Sequence, residues 1–208
     1  MVVVEHGQKI NHRFLINHDP HSKGKQWVTD ACFPAAVDAV VDTWGIDEGA
    51  ASFLTGIVKA IRPMTCLETG THRGRSTRAI AEALFENNSG HLFTVDMDDY
   101  GLMESGALRP HEKEYVTQVI GRTPEVFTSP DLERCVEIDF AFLDGAHDKE
   151  GLIADLAFVE ERKAPGCIVV VDNADDQGWP EMKAFFEQYS DHPHFCLPTM
   201  CGMEIIRL

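Results

Sequence analysis

The sequence predicts an α/β fold: a doubly wound, mostly parallel sheet of seven strands that ends in a C-terminal antiparallel hairpin. Three observations carry this. From Met64 onward, short apolar runs alternate with helical patterns, as in a parallel sheet covered by helices on both faces. Runs such as Ile168 to Val171 are continuously apolar, which strands buried on both faces require. The stretch Met64 to Thr77, MTCLETGTHRGRST, reads as a strand, a tight glycine-containing loop and a helix start.

In chain order, residues 1–30 read as an N-terminal extension or flap, and the main domain is expected over 31–208. Val2 to Val4 and Phe14 to Ile16 are short β-like runs, and His18 to Lys25 reads as a loop. His6, His12, His18 and His21 match no zinc spacing and are expected to be solvated loop residues. Pro34 opens an amphipathic helix through Ala36, Val37, Val40, Val41 and Trp44, which Gly45 ends. Asp47 can cap a second helix, Glu48 to Ile61, whose apolar face includes Phe53, Leu54, Ile57, Val58 and Ile61; Pro63 stops it.

The first strand, Met64 to Leu67, ends in Glu68, and a helix follows from about Ser76 to Phe85 with Asn87 to Gly90 as its exit. Strands are expected at His91–Val95, Val116–Ile120, Ile138–Leu143 and Cys167–Val171, with helices over Gly151–Glu161 and about Glu181–Tyr189. Phe195–Leu197 and Met203–Ile206 pair as the hairpin across Met200 to Gly202. The connection from Met97 to Glu114 has few structural signals; a functional lid and a disordered excursion both fit it.

The composition excludes several classes. A chain of 208 residues is about one domain with a sizeable core. No apolar run approaches the roughly 20 residues of a membrane span. The opening MVVVEHGQK lacks the basic segment and apolar length of a signal peptide. Six cysteines include no C-x-x-C pair, and Cys66 and Cys167 fall in core strands, so buried thiols in a cytoplasmic setting are expected. A formal charge of −16 repels nucleic acid and anionic membranes and favours a small-molecule partner.

In an open α/β sheet the ligand lies beyond the carboxyl ends of the strands, where strand order reverses. Four strands here end in Glu68, Asp96, Asp144 and Asp172, and clustered like charge is costly unless a ligand or cation offsets it. The glycine loop between the first strand and its helix lacks two familiar patterns. A phosphate-cradling G-x-x-x-x-G-K-[ST] needs one more residue between its glycines and a Lys where Arg75 stands, and G-x-G-x-x-G is absent. What stands there is E-x-G-x-x-x-G-x-S, with Gly70 and Gly74 giving room for a close ligand or a tight turn. Asp96, closing FTVD, can accept both hydrogen bonds of a ribose diol; Asp98 and Asp99 are near it. Asp144, Asp172 and Asn173 offer three hard oxygen ligands, which suits Mg²⁺ and, less well, Mn²⁺ or Ca²⁺. His147 is of the residue type that takes a proton near neutral pH. Bland roles stand beside these: Asp144 or Asp148 as a helix cap, His147 on a surface turn, Asp172–Asn173 as a turn.

The loop pattern resembles that of the S-adenosylmethionine (SAM)-dependent methyltransferases with a Rossmann-like core. Together with Asp96, Asp144 and Asp172–Asn173 it is similar to the metal-dependent O-methyltransferases of the catechol and caffeoyl-CoA type, over roughly residues 47–208. The resemblance implies a SAM site made of Glu68, Gly70, His72, Gly74, Ser76, Asp96 and Asp144, with Gly121 and Arg122 at the adenine edge. It implies metal at Asp144, Asp172 and Asn173. That family places a Lys base where His147 stands; the D-G-x-H form is similar instead to bacterial methyltransferases acting on sugar or macrolide hydroxyls. The implied activity is methylation of a small-molecule hydroxyl, with a metal-independent enzyme using His147, or a non-catalytic SAM-binding module, as alternatives. A short-chain NAD-dependent oxidoreductase is disfavoured, since none of Tyr100, Tyr115 and Tyr189 has Lys four residues on. Trp179 reads equally as acceptor-pocket wall or as core, and a homodimer would draw on the hairpin and the first 30 residues.

Overall fold

The computed structural model describes Val2, Val3, Lys9 and Ile10 by their backbone, and residues 45–208 in full. The chain packs as two units, Met1–Trp44 and Gly45–Leu208. In the first, β1 (Val2–Val3) pairs antiparallel with β2 (Lys9–Ile10), so two residues of the expected valine strand are in place. The expected helix from Pro34, the Phe14–Ile16 run, the loop from His18 and the four histidines lie outside the described residues.

The second unit opens with α1 (Glu48–Ile61), capped as expected by Asp47, whose Oδ1 accepts from the Ala50 N–H at 2.8 Å. Then come β3 (Thr65–Thr69), α2 (Arg75–Asn87), β4 (His91–Asp96), the short α3 (Pro110–Lys113) and β5 (Val116–Ile120). Two 3₁₀ turns precede β6 (Ile138–Leu143), α4 (Lys149–Arg162), β7 (Lys163–Val171), α5 (Pro180–Phe186), β8 (His194–Leu197) and β9 (Met203–Arg207). The seven strands form one sheet in the order β5-β4-β3-β6-β7-β9-β8. All neighbours are parallel except β7 with β9 and β9 with β8, which are the expected terminal hairpin. The chain winds outward from β3 through β4 to β5, then returns to β6 on the other side of β3. Strand order therefore reverses between β3 and β6.

Alternate side chains on each strand feed two cores. Phe140 and Phe142 point to one face with Leu54, Val58, Ile80 and Leu84 of α1 and α2. Ala141 and Leu143 point to the other, against Leu152, Val159 and Met182 of α4 and α5. α1 and α2 are also joined at their ends, because Asn87 Nδ2 donates to the Val58 carbonyl at 3.0 Å and Arg62 Nη2 donates to the Asn87 carbonyl at 2.8 Å.

Several boundaries differ from expectation. β7 begins at Lys163 rather than Cys167, and its pairing with β6 shifts register between Ile138 and Phe140. α5 ends at Phe186, where tight turns at Gln188 and Tyr189 replace its last helical turn. The Met97–Glu114 connection is packed rather than disordered, with Leu102, Leu108 and Glu112 buried.

Leu102 explains one glycine of the loop. Gly74, the N-cap of α2, has φ +80°, and a Cβ there would stand 2.2 Å from Leu102 Cδ1. Gly74→Ala should therefore cost about 2 kcal/mol or more in urea unfolding, and its effect and that of Leu102→Ala should be less than additive. Full additivity would mean the two positions do not share space.

Candidate functional site

Backbone ladders carry the strands to their carboxyl ends and set the site's frame. The Gly70 N–H donates to the Val95 carbonyl, Gly121 to Asp96, Asp144 to Thr69 and Asp172 to Leu143, at 2.8–3.0 Å. The expected acids thus stand along one edge of the sheet. Gly70 has φ +89°, and a Cβ on it would stand 2.2 Å from the Asp144 carbonyl oxygen. Its lack of a side chain therefore serves the approach of the β6 loop, a reason that spacing alone did not reveal.

A cleft of about 670 Å³ opens at this edge, and Gly70, Asp96, Gly121 and Arg122 line it together with Thr69, Met97 and Thr123. Asp96 is fixed in place: its Oδ2 accepts from the His72 N–H at 2.7 Å and its Oδ1 from the Asp98 N–H at 3.1 Å. His72 has φ +43°, and its ring meets Tyr100 edge-on at 4.8 Å. The loop after β3 and the loop after β4 are therefore joined through His72.

Glu68 lies deeper than expected. β3 continues to Thr69, and Glu68 is fully buried beneath the loop rather than lining the cleft. Its Oε2 accepts from Thr77 Oγ1 at 2.6 Å and Thr94 Oγ1 at 2.5 Å. Thr94 is its register partner on β4. Burial raises its carboxyl to about 7 against the pull of the Ser76, Thr77 and Thr94 hydroxyls. Ser76 is buried in the first turn of α2, so it too supports the loop from within.

On the other side of β3 lie Asp144 and His147. His147 Nε2 meets Asp144 Oδ1 at 3.1 Å, and its ring stands 4.8 Å from the Trp179 ring. A carboxylate only accepts, so Nε2 carries the hydrogen and Nδ1 the lone pair. Asp144 is not a helix cap; Asp148 is, accepting from the Gly151 N–H at 2.7 Å. Trp179 packs on the α4–α5 core, and its ring also meets that of His147.

Asp172 and Asn173 are buried at the end of β7. Asn173 has φ +59°, a conformation asparagine tolerates, and the turn lets neighbouring residues face one region. Burial raises the Asp172 carboxyl well above its usual range, and the charge of Asp144 raises it further. Asp144 is raised chiefly by burial, opposed by His147. Among the described residues no group of three His, Cys, Asp or Glu side chains is placed to hold a metal ion; the expected set has two carboxylates and an amide.

Sequence reasoning missed Thr69, Thr77 and Thr94, whose hydroxyls serve buried acids, and it missed Asp155 and Asp176. Asp176 Oδ1 accepts from the Gly178 N–H at 2.6 Å, and its Oδ2 lies 3.4 Å from Asn173 Nδ2. Asp155 did leave a signal: it interrupts the buried stripe Leu152, Leu156 and Val159 of α4.

A family model described as a methyltransferase domain matches residues 67–174. A probable O-methyltransferase of Mycobacterium tuberculosis is 28% identical over 147 residues, which are 66% of this chain and 60% of that protein. The chain thus spans about 60% of the length of that curated relative. Among solved structures, the O-methyltransferase TomG of Streptomyces achromogenes, involved in tomaymycin synthesis and bound to SAM, is 20% identical. Its TM-score is 0.66, over 80% of this chain and 82% of that one. An O-methyltransferase of Bacillus cereus in complex with S-adenosylhomocysteine (SAH) is 18% identical with a TM-score of 0.65, over 80% and 84%. At these identities the structures show a shared fold.

The buried Glu68 carries a pH signature. An unfolded glutamate titrates near 4.5 and this one near about 7, so the folded state holds the proton more tightly and loses stability as pH rises between those values. Glu68→Gln keeps an acceptor for Thr77 and Thr94 but has no charge to bury. Its stability relative to the wild type should rise by up to about 3 kcal/mol between roughly pH 4 and pH 8. A difference that stays constant across that range would contradict the assignment.

Proposed function

The chain belongs to the methyltransferase-domain family, and from that premise we propose that it transfers the methyl group of SAM to a hydroxyl oxygen of a small molecule, with Mg²⁺ at Asp144, Asp172 and Asn173. The observation that carries this is the juxtaposition at the switch point. A nucleoside-sized cleft is lined by Gly70, Asp96, Gly121 and Arg122 and also by Gly145, Ala146 and Asp148, which flank the Asp144–His147 pair in the chain.

When bound, SAM supplies an electrophilic methyl group and Mg²⁺ lowers the pKa of an acceptor hydroxyl; the chain's own residues do the rest. Asp96, oriented by two backbone N–H groups, offers its remaining lone pairs to a ribose diol. Gly121 and Arg122 flank the base, while His72, Gly74 and Ser76 shape the loop that Glu68 supports from beneath. Asp144 holds His147 by Nε2, leaving Nδ1 to take the hydroxyl proton. The donor set fits a hard divalent cation. Asp144 is half-buried and its charge raises the cost of ionising the buried Asp172, and Asn173 adds an amide oxygen at the turn.

Catechol-like compounds and the hydroxyls of sugars or other natural products are the acceptor classes to screen. The charge of −16 argues against nucleic acid as acceptor. The buried thiols Cys66, Cys135 and Cys167 support a reducing, cytoplasmic setting. No helix among the described residues is long and apolar enough to cross a membrane. A second reading is metal-independent transfer, in which Asp144 serves only to orient His147; their direct 3.1 Å contact favours it.

The test is labelled methyl transfer from SAM to an acceptor panel, with chelator and then with Mg²⁺ restored. Turnover should fall on chelation and return with Mg²⁺, and Asp172→Ala should abolish it while SAM binding stays within about threefold of wild type. Equal turnover in chelator contradicts the metal and leaves the second reading. In both readings His147→Ala should lower kcat by about 100- to 10,000-fold; an unchanged kcat removes His147 as the base.

A further inference from the structure

Asp155 is a group that this reaction does not use. It lies in the middle of α4, 1% exposed, on a stripe where Leu152, Leu156 and Val159 are apolar. A leucine there would suit the core better, because an ionisable group so deeply buried costs stability. The charge that bears on it, that of Asp148, has the same sign, and burial raises its carboxyl to about 6. What it does hold is specific. Its Oδ2 accepts from Thr69 Oγ1 at 2.7 Å, and the Thr123 side chain also favours its charged form. Thr69 and Thr123 both line the cleft, as do Gly151 and Ala154 from the helix of Asp155. Thr69 is the residue before Gly70 and its carbonyl accepts from the Asp144 N–H, while Thr123 follows Gly121 and Arg122.

We propose that Asp155 is a positioning residue for the nucleoside end of SAM: through Thr69 it holds the end of β3 and the loop that follows it against α4, in the position the cofactor needs. The inference rests on the SAM reading given above. The Asp155 carboxylate accepts the Thr69 hydroxyl, which an apolar residue would leave buried without its partner. Its cost to stability is the reason to expect a ligand-directed role.

The experiment is calorimetric titration of SAH into the full chain and its variants, with thermal unfolding to confirm that each is folded. Wild type should bind. Asp155→Ala and Thr69→Val should each weaken SAH binding by about tenfold or more. Asp155→Asn and Thr69→Ser, which keep an acceptor and a hydroxyl, should restore the affinity to within about threefold. A role confined to stability would lower the melting temperature of Asp155→Ala and leave its SAH affinity unchanged, and that result overturns the inference alone. So does Asp155→Asn binding as weakly as Asp155→Ala. If Asp155→Ala does not fold, the Thr69 pair decides. Wild type that fails to bind SAH overturns both this inference and the SAM reading.

Discussion

The backbone of Gly70 lies so close to that of Asp144 and Gly145 that a single added methyl group would stand 2.2 Å from a carbonyl oxygen. The site depends on this contact. It brings the loop after β3 and the loop after β6 together at the point where strand order reverses, so the two halves of the sheet open around one seam. The cleft opens across this seam, lined by Asp96 and Gly121 from one half and by Gly145, Ala146 and Gly151 from the other. Asp144 and His147 meet at 3.1 Å in the same segment as Gly145 and Ala146. The backbone approach at Gly70 therefore positions both the cleft and the Asp144–His147 pair.

The site is built at the expense of stability. Glu68, Asp155 and Asp172 are buried acids and Asp144 is a half-buried one, each raised above its ordinary pKa chiefly by desolvation. They divide into two kinds. Glu68 and Asp155 each accept threonine hydroxyls on one carboxylate oxygen, without added charge, while the other oxygen is buried without a hydrogen-bond partner. The charge of Asp144 bears on Asp172, and the cost of that like charge falls if a cation joins them.

Much of this was legible in the sequence. Continuous apolar runs placed five parallel strands, Asp47 announced its helix, and the hairpin followed from two short runs about a turn. Local signals failed where distant residues decide the outcome. Nothing near Lys163 reveals that it pairs with Ile138 and so extends β7 ahead of Cys167. Gly70 and Gly74 read as room for a close ligand or a tight turn; both do have the positive φ of a turn, but the space beside them is also taken by Asp144 and Leu102, which lie far along the chain. Leu102 and Leu108 likewise turn an unpatterned connection into packed structure. At the site, the strand-end acids could be named from position, but Glu68 proved to be one residue inside its strand. The Thr69–Asp155 pair, 86 residues apart, had no local trace beyond one acid on an apolar stripe.

The measurement that bears most directly on the account is a crystal structure of the protein grown with SAH. The account predicts the nucleoside in the cleft, its ribose hydroxyls on the Asp96 carboxylate, its base beside Gly121 and Arg122, and its sulfur on the side of Asp144 and His147. SAH bound elsewhere, or seated with Asp96 out of reach of the ribose, would contradict it.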